Sequence, residues 1–96
     1  MIIIAGKLYV APEHREKYLA SLEDLILTSR SREGCLDFII AADPMESGRI
    51  NLFEQWESEE HLRRHQAVAN PPKPVADIIS DTVKKYEISS CGPVFP

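Results

Sequence analysis

The run Arg49-Ile50-Asn51-Leu52-Phe53-Glu54-Gln55-Trp56-Glu57, followed at once by Ser58-Glu59-Glu60-His61-Leu62, changes period in mid-course. Up to Glu57 it alternates, with Ile50, Leu52, Glu54 and Trp56 on one face and Asn51, Phe53, Gln55 and Glu57 on the other. That is the period of a strand. Ser58 is then a good N-cap, and Glu59 and Glu60 stand in the first turn, where the helix dipole favours negative charge. The helix is expected to run to about Val68 and to stop before Asn70-Pro71-Pro72, because a residue preceding proline avoids the α region.

Upstream, Leu36–Ala42 is a second apolar strand, joined to Arg49–Glu57 through the turn residues Asp43-Pro44 and Ser47-Gly48. So short a gap predicts an antiparallel hairpin. Ile2–Val10 is rich in β-branched and apolar residues and reads as the first strand. After Pro12, the stripe Tyr18, Leu19, Leu22, Leu25, Ile26 predicts one helix from Glu13 to about Ser31, stopped by Gly34. Downstream, a short helix is expected over Pro74–Ile79 and a last strand over Thr82–Ser89. The order β-α-β-β-α-β is the split βαβ pattern. It predicts an α+β, ferredoxin-like domain with a four-stranded antiparallel sheet and helices on one face. The core spans about residues 2–89 of a single domain, 1–96, with an irregular tail over 90–96. The strands are apolar on both faces, so a second copy packed sheet against sheet, a homodimer, is the simplest cover.

Composition narrows the function classes. The net charge is −4, and the only dense basic pairs, Arg63-Arg64 and Lys84-Lys85, are too short for a nucleic-acid stripe. No apolar run approaches a membrane span, and Met1-Ile2-Ile3-Ile4 lacks the charged start of a signal peptide. The expectation is therefore no nucleic acid, no membrane and a cytoplasmic location. Cys35 and Cys91 are too few and too far apart for a disulfide framework or a zinc site. His61 and His65 have metal-compatible spacing on one helix, but no third ligand accompanies them, so no metal is expected. No phosphate-cradling glycine loop is present, so no flavin or nicotinamide cofactor is expected either.

Glu33-Gly34-Cys35-Leu36-Asp37-Phe38, the run Leu52 to Glu60, and then Leu62 and His65 together resemble the antibiotic biosynthesis monooxygenase family. The first strand and helix fit the same pattern. The resemblance implies a dimeric α+β barrel and cofactor-independent oxidation of aromatic polyketides by molecular oxygen. It extends to relatives that degrade haem or that isomerise or hydrolyse small molecules. In the haem-degrading relatives a first-strand Asn acts with a Trp and a His. Trp56 and His65 match the latter two, while Gly6 stands about where that Asn falls. Residues Asn70 to Pro74 depart from the aromatic-containing segment usual after the His.

Glu54 and Trp56 share a strand face, and His65 lies near the end of the helix that folds back on it. The three side chains are expected to converge on a cavity. There His65 would act as base, Glu54 as the carboxylate that orients it, and Trp56 as an aromatic wall, with Leu52, Phe38 and Tyr9 as further substrate contacts. A cavity-lining imidazole of this kind is expected to be replaceable at little cost in stability. The competing reading makes Trp56 a core residue, Glu54 an edge carboxylate and His65 a helix-end cation. Asn51, on the opposite face, is assigned to the dimer interface. The leading functional expectation is a cofactor-free monooxygenase acting on a small electron-rich aromatic, a phenol or quinol. A non-catalytic small-molecule-binding dimer, or an isomerase or hydrolase of a small carbonyl compound, stands beside it.

Overall fold

The computed structural model describes residues 1–95. The elements are β1 (Ile2–Tyr9), α1 (Arg15–Ala20), α2 (Glu23–Arg30), β2 (Cys35–Ala42), β3 (Arg49–Trp56), α3 (Glu59–Val68), β4 (Ser80–Asp81) and β5 (Lys84–Glu87). The sheet is antiparallel, ordered β2-β3-β1-β4, with β5 also paired to β1. This is the ferredoxin-like arrangement. Helices cover the face that carries Ile2, Leu8, Phe38, Ile50 and Trp56, all buried.

The helix expected over residues 13–31 is broken. A 3₁₀ turn at Pro12–His14 leads into α1, and α1 and α2 part at Ser21-Leu22. Ser21 Oγ donates to the carbonyl of Tyr18 at 2.6 Å, a side-chain bond that competes with the helical ladder. Gly34 (φ 82°) then turns the chain into β2, with the His61 ring packed where a Cβ would stand. Ser58 caps α3 as expected, accepting from the His61 backbone N–H at 3.2 Å.

The helix expected over Pro74–Ile79 does not form; the segment is irregular. Three prolines within Pro71–Pro74 hold the chain extended, and Ala76 docks on Leu8, Val10 and Ile50 instead. The last strand comes as two pieces, β4 and β5, that keep one common register on β1. Their interruption at Thr82-Val83 lies opposite Gly6, where a Cβ would stand 2.6 Å from Val83 Cα and 2.8 Å from the Thr82 carbonyl oxygen.

The core has two clusters. Ile2, Phe38, Trp56 and Leu62 form one; Leu8, Val10, Ile50 and Ala76 form the other. On the helix-free face, Ile3, Ala5, Phe53 and Ile39 make a band continued by Tyr86, which pairs with Ile3. Ile39 and Tyr86 are 38% and 49% exposed. Asn51 also lies on this face, bonded to Asp43 and Arg49. Val94 and Phe95 in the tail are exposed.

Candidate functional site

The two clusters leave a gap above the middle of the sheet. It is a cavity of about 270 Å³, walled by Leu8, Phe38, Ile40 and Leu52 from the sheet and Tyr18, Leu22 and Leu25 from the first helical segment. Glu54, His65, Ala69 and Pro71 complete it. Its size lies near the lower end of small-molecule pockets, roughly 300–1,000 Å³, and its composition, apolar with a few polar groups, is typical of them. A larger hollow of about 460 Å³, bordered by Ala11, His14 and Pro74–Asp77, is shallower and gathers no comparable set of buried polar groups.

His65 reaches this cavity because it follows Leu62 by three residues on the inward face of α3. Its ring lies 4.5 Å from the Trp56 ring, tilted by 31°, and meets Phe38 edge-on at 5.8 Å. The residue is only 6% exposed, and Nδ1 is shut off from solvent without a hydrogen-bond partner. Burial first, and the nearby Arg32 charge second, push its pKa below the usual histidine value. The ring is therefore neutral at pH 7 and able to accept a proton. The expectation that His65 could be removed at little cost needs correction, because its imidazole is packed on two aromatic rings.

Glu54 sits at the cavity floor, and burial raises its pKa against a smaller opposing effect of the Trp56 N–H. Trp56 Nε1 donates to Glu54 Oε1 at 3.0 Å. The carboxylate expected to orient His65 is thus held by the indole instead. Trp56 itself is fully buried, and it underlies His65 without lining the cavity. Its expected position as a substrate wall is corrected accordingly: it packs beneath the His65 ring.

Leu52 and Phe38 line the cavity as expected, but Tyr9 does not. Strand alternation places Tyr9 on the helix-free face, beside Lys7, with its hydroxyl donating to Glu46 Oε2 at 2.8 Å. The tyrosine at the cavity is Tyr18, whose hydroxyl has its pKa raised by burial and by Asp81. The sequence signal for Tyr18, Leu22 and Leu25 was the apolar stripe itself, read there as the mark of a helix.

Among the described residues no three His, Cys, Asp or Glu side chains gather as a metal set. His61 and His65 diverge: His61 turns to Ser58, Glu33 and Glu57, while His65 turns inward. At Gly6 the helix-side space is filled by the backbone of Thr82 and Val83. An Asn side chain there would have no room without movement of the last strand.

A ferredoxin-like α+β domain with a small apolar cavity between sheet and helices, holding a neutral buried imidazole, defines the class. The model of the antibiotic biosynthesis monooxygenase family matches residues 1–69, and the chain belongs to that family. An uncharacterized protein of Synechocystis is 31% identical over 64 residues, covering 67% of this chain. The candidate monooxygenase YcnE of Bacillus subtilis is 27% identical over 70 residues, covering 73%. The aligned part spans 44% of the length of the first relative and 74% of the second. The fold is shared with a candidate antibiotic biosynthesis monooxygenase from Deinococcus radiodurans (TM-score 0.79, 18% identity, all of both chains). It is shared also with the haem degrader MhuD of Mycobacterium tuberculosis, whose structure holds two haems in its active site (TM-score 0.68, 13% identity, 97% and 100% covered). Among the described residues no helix is long and apolar enough to cross a membrane.

Proposed function

We propose that this protein is a cofactor-independent monooxygenase that oxidises a small electron-rich aromatic, a phenol or quinol, with molecular oxygen. It works as a homodimer in the cytoplasm. The observation that carries the reading is His65: a buried, neutral imidazole with no hydrogen-bond partner for Nδ1, set on the wall of an apolar cavity of about 270 Å³. That volume suits one or two aromatic rings. Family membership and the kinship to YcnE support oxygen chemistry over other uses of such a base.

His65 takes the phenolic proton, and the phenolate, poorly solvated among Leu8, Ile40 and Leu52, gives an electron to oxygen. The radical pair joins at a ring carbon, and the resulting hydroperoxide loses water to leave a quinone. The chain supplies a base, orientation and a dry site. Glu54, held by the Trp56 indole, presents a carboxyl that burial keeps easier to protonate, suited to returning a proton to the departing oxygen. The Gly6 backbone contact weighs against haem degradation as the activity.

Oxygen uptake on incubation with a panel of hydroquinones and naphthols tests the reading. Uptake matched by quinone formation is expected, falling about 10²-fold in His65→Ala. Absence of uptake across the panel, or full activity in His65→Ala, would refute it. A non-catalytic binding dimer is the second reading, favoured by the bond that ties Glu54 to Trp56 and leaves His65 without a carboxylate partner. Saturable binding without oxygen uptake would select it.

A further inference from the structure

Three hollows meet where α2 and α3 approach each other. The interior cavity ends here at Leu25, His65 and Ala69. A second hollow of about 220 Å³ opens outward past Arg32, Arg64, His65 and Val68. A third, about 240 Å³, runs past Asp24, Leu25, Arg32 and Asn70. His65 is a wall of the first two, and Arg32 of the last two.

Both residues carry a buried nitrogen with no partner: Nε of Arg32 and Nδ1 of His65. The arginine differs from the others in another way. Arg49, Arg63 and Arg64 are paired with carboxylates, and Arg15 and Arg30 donate to backbone carbonyls, but among the described residues the Arg32 guanidinium has neither kind of partner. A buried donor left without an acceptor is costly. A guanidinium offers Nε and a terminal nitrogen as a fork that fits a carboxylate through two parallel bonds.

The geometry points to an anion subsite between Arg32 and His65 that takes the carboxylate of a ligand whose apolar body fills the interior cavity. A small turn of the guanidinium opens Nε to the cleft. One carboxylate oxygen, or both, is then held by the arginine fork, and His65 donates from Nδ1 in the tautomer that leaves Nε2 unprotonated. The neighbouring acids do not already fill the place. Glu33 and Glu57 stand at 3.9 and 3.8 Å from His61 Nε2, and Glu60 is bonded to Arg64.

Two further acids limit the ligand to a single negative charge. Asp24 borders the third hollow and Glu54 the cavity, so a second carboxylate or a phosphate dianion would meet repulsion with only one free guanidinium to offset it. The ligand class is a small monocarboxylic acid with an aromatic or branched apolar body. This goes beyond the oxygenase reading and does not require it, because it concerns binding alone.

Calorimetry with matched pairs tests it: benzoate against benzamide, phenylacetate against phenylacetamide, and acetate alone. Each acid is expected to bind about tenfold or more tightly than its amide, the margin that a charge-assisted fork supplies. In Arg32→Gln that margin should vanish, in Arg32→Lys it should shrink, and in Arg63→Gln, which alters an arginine paired with Glu59 outside all three hollows, it should persist. In NMR titrations, benzoate should raise the pH at which the His65 ring protonates, since a bound anion offsets the Arg32 charge. Equal affinities for acid and amide would overturn the subsite, as would a margin that survives in Arg32→Gln or an absence of acid binding at tens of millimolar. Acetate binding as tightly as benzoate would show an adventitious ion only and would overturn it too. Turnover is not read in any arm, so failure here leaves the oxygenase reading standing, and failure of that reading leaves the subsite standing.

Discussion

Gly6→Ala is the smallest change that probes the join between the first and last strands. A Cβ at this position would stand 2.6 Å from Val83 Cα and 2.8 Å from both Val83 N and the Thr82 carbonyl oxygen. All three are backbone atoms, so none can swing aside as the end of a side chain would. Overpacking of this kind costs about 1–3 kcal/mol, and a purely backbone collision belongs at the upper end. The reduced freedom of the unfolded alanine chain returns about 0.4–1 kcal/mol of that. A net loss near 2 kcal/mol corresponds to a fall in Tm of roughly 8–16 °C for a domain of this size. Thermal denaturation followed by circular dichroism measures it, with Gly92→Ala as control, because nothing lies within 4 Å of a Cβ there. The damage should be local at first: amide exchange should quicken at Thr82, which donates to the Lys7 carbonyl oxygen, and at Val83, which donates to Asp81 Oδ1. If Gly6→Ala melts within a degree or two of wild type, the close approach does not hold the strand. The steric case against an asparagine at this position then fails with it.

His65→Ala should cost about 1–3 kcal/mol of stability, read from chemical denaturation, because it empties a site between Trp56 and Phe38. The folded-state pKa of His65 is lowered, so the unfolded chain binds the proton more readily. Stability should therefore drop as pH falls below about 6.5, and His65→Gln should lose that part of the slope. Glu54 has its pKa raised in the folded state, so its ionisation opposes folding above the ordinary glutamate value; Glu54→Gln should raise Tm at pH 7, with the gain fading below about pH 4.3. Phe53→Glu or Ile39→Glu, each placing a charge on the helix-free face, should convert a dimer to a monomer by light scattering; a wild type that is itself monomeric at micromolar concentration would refute the dimer.

Much of the fold was legible because its strands and α3 carry independent, agreeing signals. Alternation through Arg49–Trp56, the Ser58 cap and the proline stop each fix one boundary of the β3–α3 unit. The break at Ser21-Leu22 was hidden because the apolar stripe continues across it; only a serine hydroxyl bonded to its own turn marks it. Pro74–Ile79 has a composition that permits a helix, but tertiary docking of Ala76 decides otherwise. The site was legible in part. Parity alone gathers Leu52 and Glu54, and the same parity, carried through the pairing of Leu8 with Ile50 and Tyr9 with Arg49, puts Tyr9 on the far face. What sequence could not supply was that register, on which the placement of Tyr9 depends.

The register also explains why His65 rather than Trp56 meets the cavity. Trp56 pairs with Ile2 and Cys35 at the end of the sheet, directly beneath α3, so the first turns of the helix bury it. His65 lies a full turn beyond Leu62 and projects past that end, toward the middle of the sheet where Leu52 faces Gly6. Gly6 contributes no side chain to the sheet floor, and the Val83 backbone closes over it. The cavity lies beside that filled stretch, over Leu52, Ile40 and Leu8 of the sheet, roofed by Leu22 and Leu25 and flanked by the imidazole. The indole then has one polar atom to satisfy, and Glu54, two residues earlier on the same strand face, is within reach. That bond fixes the carboxyl at the floor and leaves the imidazole without an internal partner for Nδ1. The two titratable groups are thereby set apart by the fold: one is anchored by the indole and reluctant to ionise, the other is held neutral by burial with one ring nitrogen unpaired.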